Sequence, residues 1–191
     1  MCSMEKMGVK MSEFKVKELD IQEAFIIEPF HVSDNRGNVK KLINKSDFLN
    51  RNINFSDSEV MVINSNSGVL RGIHFQKKQA QKKMLYCLHG ELFVTIVDLR
   101  KESDTYGNAL CYRLNESNPY GVIIPPGCGL GSLAIKDCII CLMNEGNYFP
   151  EFDSGVRWDD SKLAIPWPIE ELKTELIVSK KDQEWGSFEE I

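Results

Sequence analysis

Glu91-Leu92-Phe93-Val94-Thr95-Ile96-Val97-Asp98 is apolar at nearly every position between its acidic ends. It reads as a strand buried on both faces. Outward from it, short apolar runs alternate with clusters of Gly, Asn, Asp, Ser and Pro. They cover 25–30, 60–63, 69–75, 84–88, 109–114, 120–124, 133–135 and 138–143. Runs of this length bounded by turn residues predict strands. Only two stretches suit helices: Lys45 to Asn50, with Ser46 and Asp47 as start signals, and a short turn near the C-terminus capped by Ser179 or Asp182. Regular strands joined by short turns predict an antiparallel sandwich or barrel. Residues 1–22 are set apart as an N-terminal arm, a loose segment or an edge strand opened by Met1, Met4, Met7 and Met11. Residues 23–191 form the folded domain.

The chain has 191 residues, 42% hydrophobic and 27% charged, a globular balance that excludes a disordered or collagen-like chain. Lys and Arg number 23 against 28 Asp and Glu, a net charge of −5, which gives no support for nucleic-acid binding. The apolar stretches fall far short of the ~20 residues that span a bilayer. The N-terminus lacks the pattern of a signal peptide. Cysteines stand at 2, 87, 111, 128, 138 and 141. Cys138-Ile139-Ile140-Cys141 is a CxxC inside an apolar run with no second Cys/His pair nearby, so it reads as two thiols of a core strand rather than a zinc or redox site. The expected compartment is the reducing cytoplasm, with no membrane association.

The histidines are His31, His74 and His89. His74 has the richest context, Gly68-Val69-Leu70-Arg71-Gly72-Ile73-His74-Phe75-Gln76. Arg71 and His74 are three residues apart, which puts them on opposite faces of an ideal strand. A bulge at Gly72 would change that. Polar groups on an otherwise apolar barrel strand mark a lined cavity more often than a packing error. There is no His-x-His, so no metal site is expected; there is no Gly-rich phosphate loop and no Gly-x-Ser-x-Gly elbow, and spacing alone picks out no Ser or Cys nucleophile beside a base.

An ordered set of motifs extends this reading. Asp34-Asn35-Arg36-Gly37, the segment from Gly68 to Gln76, Ala80-Gln81-Lys82-Lys83, Gly90-Glu91-Leu92-Phe93, Val97-Asp98-Leu99-Arg100, Tyr106-Gly107, Ile124-Pro125-Pro126-Gly127, Gly155-Val156-Arg157-Trp158-Asp159-Asp160 and Ile165-Pro166-Trp167-Pro168 follow one another. Together they resemble the dTDP-4-dehydrorhamnose 3,5-epimerase family, the RmlC-like cupins, over about residues 25 to 185. The resemblance implies an all-β jelly-roll barrel with short flanking helices, and a homodimer that exchanges strands. It also implies a nucleotide-diphospho-4-keto-6-deoxy sugar as substrate, and no metal or other cofactor. It makes His74 the base, Asp182 the carboxylate that holds it and Lys83 the cation near the keto oxygen. Arg36 and Arg71 would hold the sugar nucleotide, with Gln76, Asn64, Tyr148 and Arg157 completing the binding set.

Two positions depart from the family's pattern. Counting back from Trp158 without gaps, the family's tyrosine acid falls on Leu142, and a family histidine after the Ile-Pro turn falls on Leu130. The base side of the cavity is kept and the opposite side becomes apolar. The aromatic residues and Glu that follow Asp-x-Arg-Gly in the family are here Asn38, Val39, Lys40 and Lys41, and Val62-Ile63-Asn64 stands where the family has Gln-Asp-Asn. These changes leave the nucleotide open among dTDP, CDP and GDP. The expected activity is epimerisation at a single carbon, C3 or C5, in deoxysugar biosynthesis for surface polysaccharide. Reprotonation would come from water, Tyr148 or Cys141. A non-catalytic sugar-nucleotide binder and a keto-isomerase using one base are the alternatives. The retained His74 and Asp182 favour an enzyme, because binding alone needs no oriented base.

Overall fold

The structure is a computed structural model that describes residues 10–191; Met1, Cys2, Met4 and Met7 lie outside the described residues. In chain order the strands are β1 (Lys10–Ser12), β2 (Lys15–Glu18), β3 (Phe25–Glu28), β4 (Phe30–Asp34), β5 (Gly37–Lys41), β6 (Glu59–Ser65), β7 (Val69–Gln76) and β8 (Lys82–His89). There follow β9 (Glu91–Asp98), β10 (Ala109–Asn115), β11 (Gly121–Ile124), β12 (Cys128–Ala134), β13 (Cys138–Glu145), β14 (Asp153–Gly155) and β15 (Ile177–Val178). Helix α1 is Lys45–Leu49 and α2 is Lys180–Gln183.

One sheet runs β2-β3-β11-β8-β13-β6 and the other β10-β9-β12-β7-β14, with β15 beside β7. Only the β15 pairing is parallel. A smaller sheet, β1-β4-β5, stands apart from both. Pro29 accounts for that separation. The apolar run from Phe25 to Phe30 continues through it in sequence, but proline has no N–H for a ladder. The chain leaves the large sheet at Glu28 and re-enters pairing in the small one at Phe30. Strand β2 pairs with β3, so the part of the arm over 15–18 is an edge strand.

The two large sheets meet along one apolar interior. Leu85, Cys87, Val122, Ile124 and Ile140 come from one sheet, and Leu92, Val94, Ile96 and Leu130 from the other. Strand β9 is buried on both faces, as its sequence predicts, because the C-terminal segment covers its outer side. Phe93 packs with Leu70, Leu133, Ile135 and Trp167, and Val97 with Ile73, Phe75, Val156 and Leu163. A similar layer covers the first sheet, where Phe14 and Phe48 pack on Met84, Tyr86 and Cys141. Cys138 joins the interior cluster and Cys141 the outer layer, so the two thiols of the CxxC face opposite sides of β13. Strand β12 begins at Cys128, earlier than the apolar run 133–135 suggested. Gly129 hides it in sequence, and a Cβ there would lie 2.4 Å from the Ile73 side chain. Both helix starts follow capping chemistry: Asn44 rather than Ser46 or Asp47 caps α1, accepting from the Ser46 N–H at 3.2 Å, and Ser179 caps α2, accepting from the Asp182 N–H at 3.1 Å.

The turn after β9 is tied by Asp98, which is 0% exposed. Its carboxylate accepts from Arg100 N at 3.0 Å, Arg100 Nε at 2.8 Å, Ser103 Oγ at 2.6 Å and Thr105 Oγ1 at 2.6 Å. Burial pushes this carboxyl up, but the Arg100, Ser103 and Thr105 hydrogen bonds outweigh it and hold the group well below the usual carboxylate range. Its stabilisation is therefore full above the unfolded-state pKa of about 4 and is lost as pH falls through the depressed folded value. Asp98→Asn is expected to cost about 3 kcal/mol at pH 7 in urea unfolding. The gap from wild type should narrow steadily below pH 4. A pH-independent gap would show that the carboxylate charge plays no part.

Candidate active site

Strand β7 carries the site, and a bulge gives it its chemistry. His74 pairs with Leu130 and Arg71 with Ser132, with a register shift between the two pairs. Three residues of β7 therefore span two of β12, and Arg71 and His74 reach the same face. Gly72 makes this possible. Its φ is +100°, and a Cβ there would lie 2.4 Å from the Leu130 carbonyl oxygen.

The bulge also turns the Gly72 N–H toward α2. That short helix brings in Asp182, 108 residues away in sequence from His74 and only 4% exposed. Asp182 Oδ1 lies 2.5 Å from His74 Nε2 and accepts from Trp185 Nε1 at 3.2 Å, while Oδ2 accepts from Gly72 N at 3.4 Å. Burial pushes the carboxyl up, yet the His74 hydrogen bond and charge, with the Gly72 and Ser179 contacts, hold it below its ordinary value. A carboxylate only accepts, so Nε2 carries a proton, and in the neutral ring Nδ1 presents a lone pair. Nδ1 makes no hydrogen bond to the described residues, and the His74 side chain is 35% exposed. The dyad is an oriented, accessible base. Trp185, which sequence reasoning missed, stands edge-on to the His74 ring at 6.3 Å and lies over Gly155, the register partner of His74. Its one legible signal is its place three residues after Asp182.

Lys83 enters the interior from the facing sheet, on the same side of β8 as Leu85 and Cys87. Burial pushes its pKa down, partly offset by the charge of Asp153. Arg71 Nε donates to Ser65 Oγ at 3.1 Å, which holds the arginine along the wall. Leu130 pairs with His74 and Leu142 with Leu85, and both belong to the interior cluster, so the cavity wall is apolar at the two positions where the resemblance puts a histidine and a tyrosine.

Other expected residues stand elsewhere. Gln76 is buried and committed: Nε2 donates to the Gln79 and Asn147 carbonyls, and Oε1 accepts from Phe149 N at 2.6 Å. It anchors the loop after β13 rather than facing a ligand. Tyr148 is exposed on that loop, its hydroxyl 3.1 Å from Asp153. Asn64 is exposed on the outer face of β6, in alternation with inward Ile63 and Ser65. Arg157 forks onto Asp159 in a surface groove beside Trp158 and Gln183. Arg36 is 85% exposed at the β4–β5 turn and forks onto Asp34. Cys141, considered as a proton donor, faces the outer layer and not the cavity. The structure thus brings His74 and Asp182 into contact, sets Arg71 on the same face of β7 and Lys83 on the inward face of β8, and leaves Arg36, Asn64 and Arg157 elsewhere.

A jelly-roll barrel with a histidine held by a buried carboxylate on one sheet, and an inward lysine on the facing sheet, defines the class as the RmlC-like cupins. The family model described as dTDP-4-dehydrorhamnose 3,5-epimerase matches residues 18–190. The chain is 39% identical over 184 residues to the dTDP-4-dehydrorhamnose 3,5-epimerase of Methanothermobacter thermautotrophicus, covering 94% of this chain and 97% of that one. It is similar in structure to the dTDP-6-deoxy-D-glucose-3,5-epimerase RmlC of Legionella pneumophila in complex with dTDP-4-keto-L-rhamnose, with TM-score 0.87, 28% identity and coverage of 94% and 95%. It is also similar to ChmJ, a 3′-monoepimerase of Streptomyces bikiniensis in complex with dTDP-quinovose, with TM-score 0.82, 26% identity and coverage of 90% and 86%. The chain belongs to the dTDP-4-dehydrorhamnose 3,5-epimerase family.

Proposed function

We propose that the protein is a sugar-nucleotide epimerase that inverts a single carbon of a nucleotide-diphospho-4-keto-6-deoxy sugar. The observation that carries this reading is the 2.5 Å contact between His74 Nε2 and Asp182 Oδ1, which leaves Nδ1 as an accessible base. The C4 ketone acidifies the hydrogens on C3 and C5. His74 Nδ1 takes one of them, and the electron pair moves onto the keto oxygen as an enolate. The Lys83 ammonium, entering from the facing sheet, stabilises that oxygen. Arg71 serves the diphosphate. The apolar wall at Leu130 and Leu142 supports inversion at one centre rather than two, since a second inversion needs another well-placed donor.

The working form is a homodimer. The small β1-β4-β5 sheet presents exposed Val39 and Arg36, and strand exchange would bring Arg36 to the sugar nucleotide in the partner's cavity. The cysteines among the described residues are unpaired thiols, which suits a reducing cytoplasm. The product would feed deoxysugar biosynthesis for surface polysaccharide.

Incubation with dTDP-, CDP- and GDP-4-keto-6-deoxyhexoses in heavy water tests the reading by proton NMR. Deuterium at C3 or C5, with inversion there, is expected for one nucleotide. Migration of the ketone to C3 would mark a keto-isomerase, and no deuterium from any sugar would mark a binder.

A further inference from the structure

Lys83 has a setting that a role at the keto oxygen does not use up. It lies two residues before Leu85 on β8 and enters the barrel on that residue's face, while His74 enters on the face of Leu130 from the other sheet. Leu85 and Leu130 share one cluster, so the lysine and the histidine approach the same space from opposite walls. Asp153 fixes the end of the barrel they share. It pairs with Gln76, two residues past His74, and its charge acts on Lys83.

Directly across the β8–β13 ladder from Lys83 is Asn144, 3% exposed. Its Nδ2 donates to Glu59 Oε2 at 2.9 Å. Because a carboxylate only accepts, that contact fixes which way the amide points. Asn144 Oδ1 is left buried with no hydrogen-bond partner. A buried acceptor left in that state is costly, so it calls for a function. Lys83, the partner of Asn144 across the ladder, makes no hydrogen bond or ion pair from Nζ to the described residues, so the two side chains face each other with Nζ and Oδ1 both unspent. Two positions along the ladder, on the same face, Leu142 pairs with Leu85, the level at which the family resemblance places a tyrosine acid.

We propose that Lys83 is the proton donor on the face opposite His74, in place of the missing tyrosine, with Asn144 Oδ1 seating its ammonium. The inference rests on the epimerase reading above. His74 Nδ1 takes the proton as the C–H bond breaks, and the electron pair is held as the enolate. A Lys83 N–H bond then breaks, and its proton bonds to the same carbon from the other face as the electron pair returns to carbon and the ketone re-forms. The lysine is left as a neutral amine and the histidine as an imidazolium. Lys83 regains a proton from water and His74 gives one up to water, which restores both. The lower pKa that burial gives Lys83 favours this donation. One lysine at one level supplies one carbon, in keeping with single inversion.

Lys83→Arg separates donation from charge. Arginine keeps the cation near the keto oxygen but does not give up its proton. In heavy water, Lys83→Arg is expected to keep deuterium entry within about 5-fold of wild type, since His74 itself can return a solvent deuteron to the original face. Inversion is expected to fall at least 100-fold, in the range of a lost general acid. Lys83→Arg combined with Leu142→Tyr should bring inversion back to within about 10-fold. Asn144→Leu, which removes the seat, should lower inversion about 10-fold and exchange by a smaller factor. Circular dichroism and nucleotide binding of each variant check that the barrel is intact. Equal loss of exchange and inversion in Lys83→Arg would show that the lysine serves both steps alike and not the donation alone, and would overturn the proposal, as would inversion at the wild-type rate. A wild-type protein that exchanges no deuterium with any 4-keto sugar nucleotide would sink the epimerase reading and this inference together.

Discussion

His74→Asn is expected to abolish solvent deuterium entry into the substrate, by at least 1,000-fold, while nucleotide affinity stays within a few-fold. A positioned base contributes typically 10²–10⁴-fold, and here no other base shares the β7 face. Asparagine preserves the polar contact to Asp182 and so spares the fold. Asp182→Asn acts through the histidine and should be milder, about 10- to 100-fold. The neutral amide no longer stabilises the imidazolium that forms when Nδ1 takes a proton, and it loses one acceptor of the set that Gly72 N, Trp185 Nε1 and His74 Nε2 share. Deuterium exchange followed by proton NMR, with calorimetric titration of the nucleotide, reads both variants. Exchange by His74→Asn at the wild-type rate would defeat the mechanism.

The second large effect is expected at Gly72, a residue that touches no substrate. Gly72→Ala places a methyl group 2.4 Å from the Leu130 carbonyl oxygen and 3.0 Å from Gly131 Cα, on a backbone with φ +100°. Both neighbours are backbone, so no flexible side chain can yield. Either β7 and β12 part, or φ changes and the bulge is lost. In both cases the Gly72 N–H swings away from Asp182, and His74 loses its shared face with Arg71. A misplacement of about 1 Å at the reacting groups costs roughly 100-fold, and we expect at least that loss in kcat/KM, with about 1–3 kcal/mol lost from stability by urea unfolding. Gly146→Ala is the control. Its φ is +89°, but the nearest atom to a new Cβ is 4.0 Å away, so it carries backbone strain without collision. Similar activity loss in both variants would mean that conformation alone, and not the contact with β12, governs the site.

The alternation of short apolar runs with turn residues determined the all-β architecture, because each strand's burial is written locally in its own side chains. Strand β9 went further: its nearly continuous apolar stretch predicts a covered outer face, and the C-terminal segment covers it. The spacing of Cys138 and Cys141 likewise determined their separation, since three steps along a strand reverse the side-chain direction. The ordered motifs pointed to His74, Asp182, Arg71 and Lys83. The apolar exchange at Leu130 and Leu142 was also legible, because a register count along a strand preserves side-chain direction.

What only the tertiary structure decided depends on which partner a side chain meets. Gln76 sits in the motif beside His74, yet all its polar atoms are spent on the loop at Asn147 and Phe149, 71 and 73 residues away. Lys77, Lys78, Lys82 and Lys83 form one basic run in sequence, but strand pleating and the Asn54 carbonyl draw Lys82 outward and leave Lys83 alone inside. Arg36, Asn64 and Arg157 carry the right chemistry and stand outside the cavity, because Pro29, the alternation along β6 and the Asp159 carboxylate set their directions. Trp185 and the orphan oxygen of Asn144 became visible only when distant segments closed on each other. Direction along a strand is a local property of the pleat. The acceptor at the end of a hydrogen bond is set by chain closure over tens to more than a hundred residues, and no local pattern encodes it.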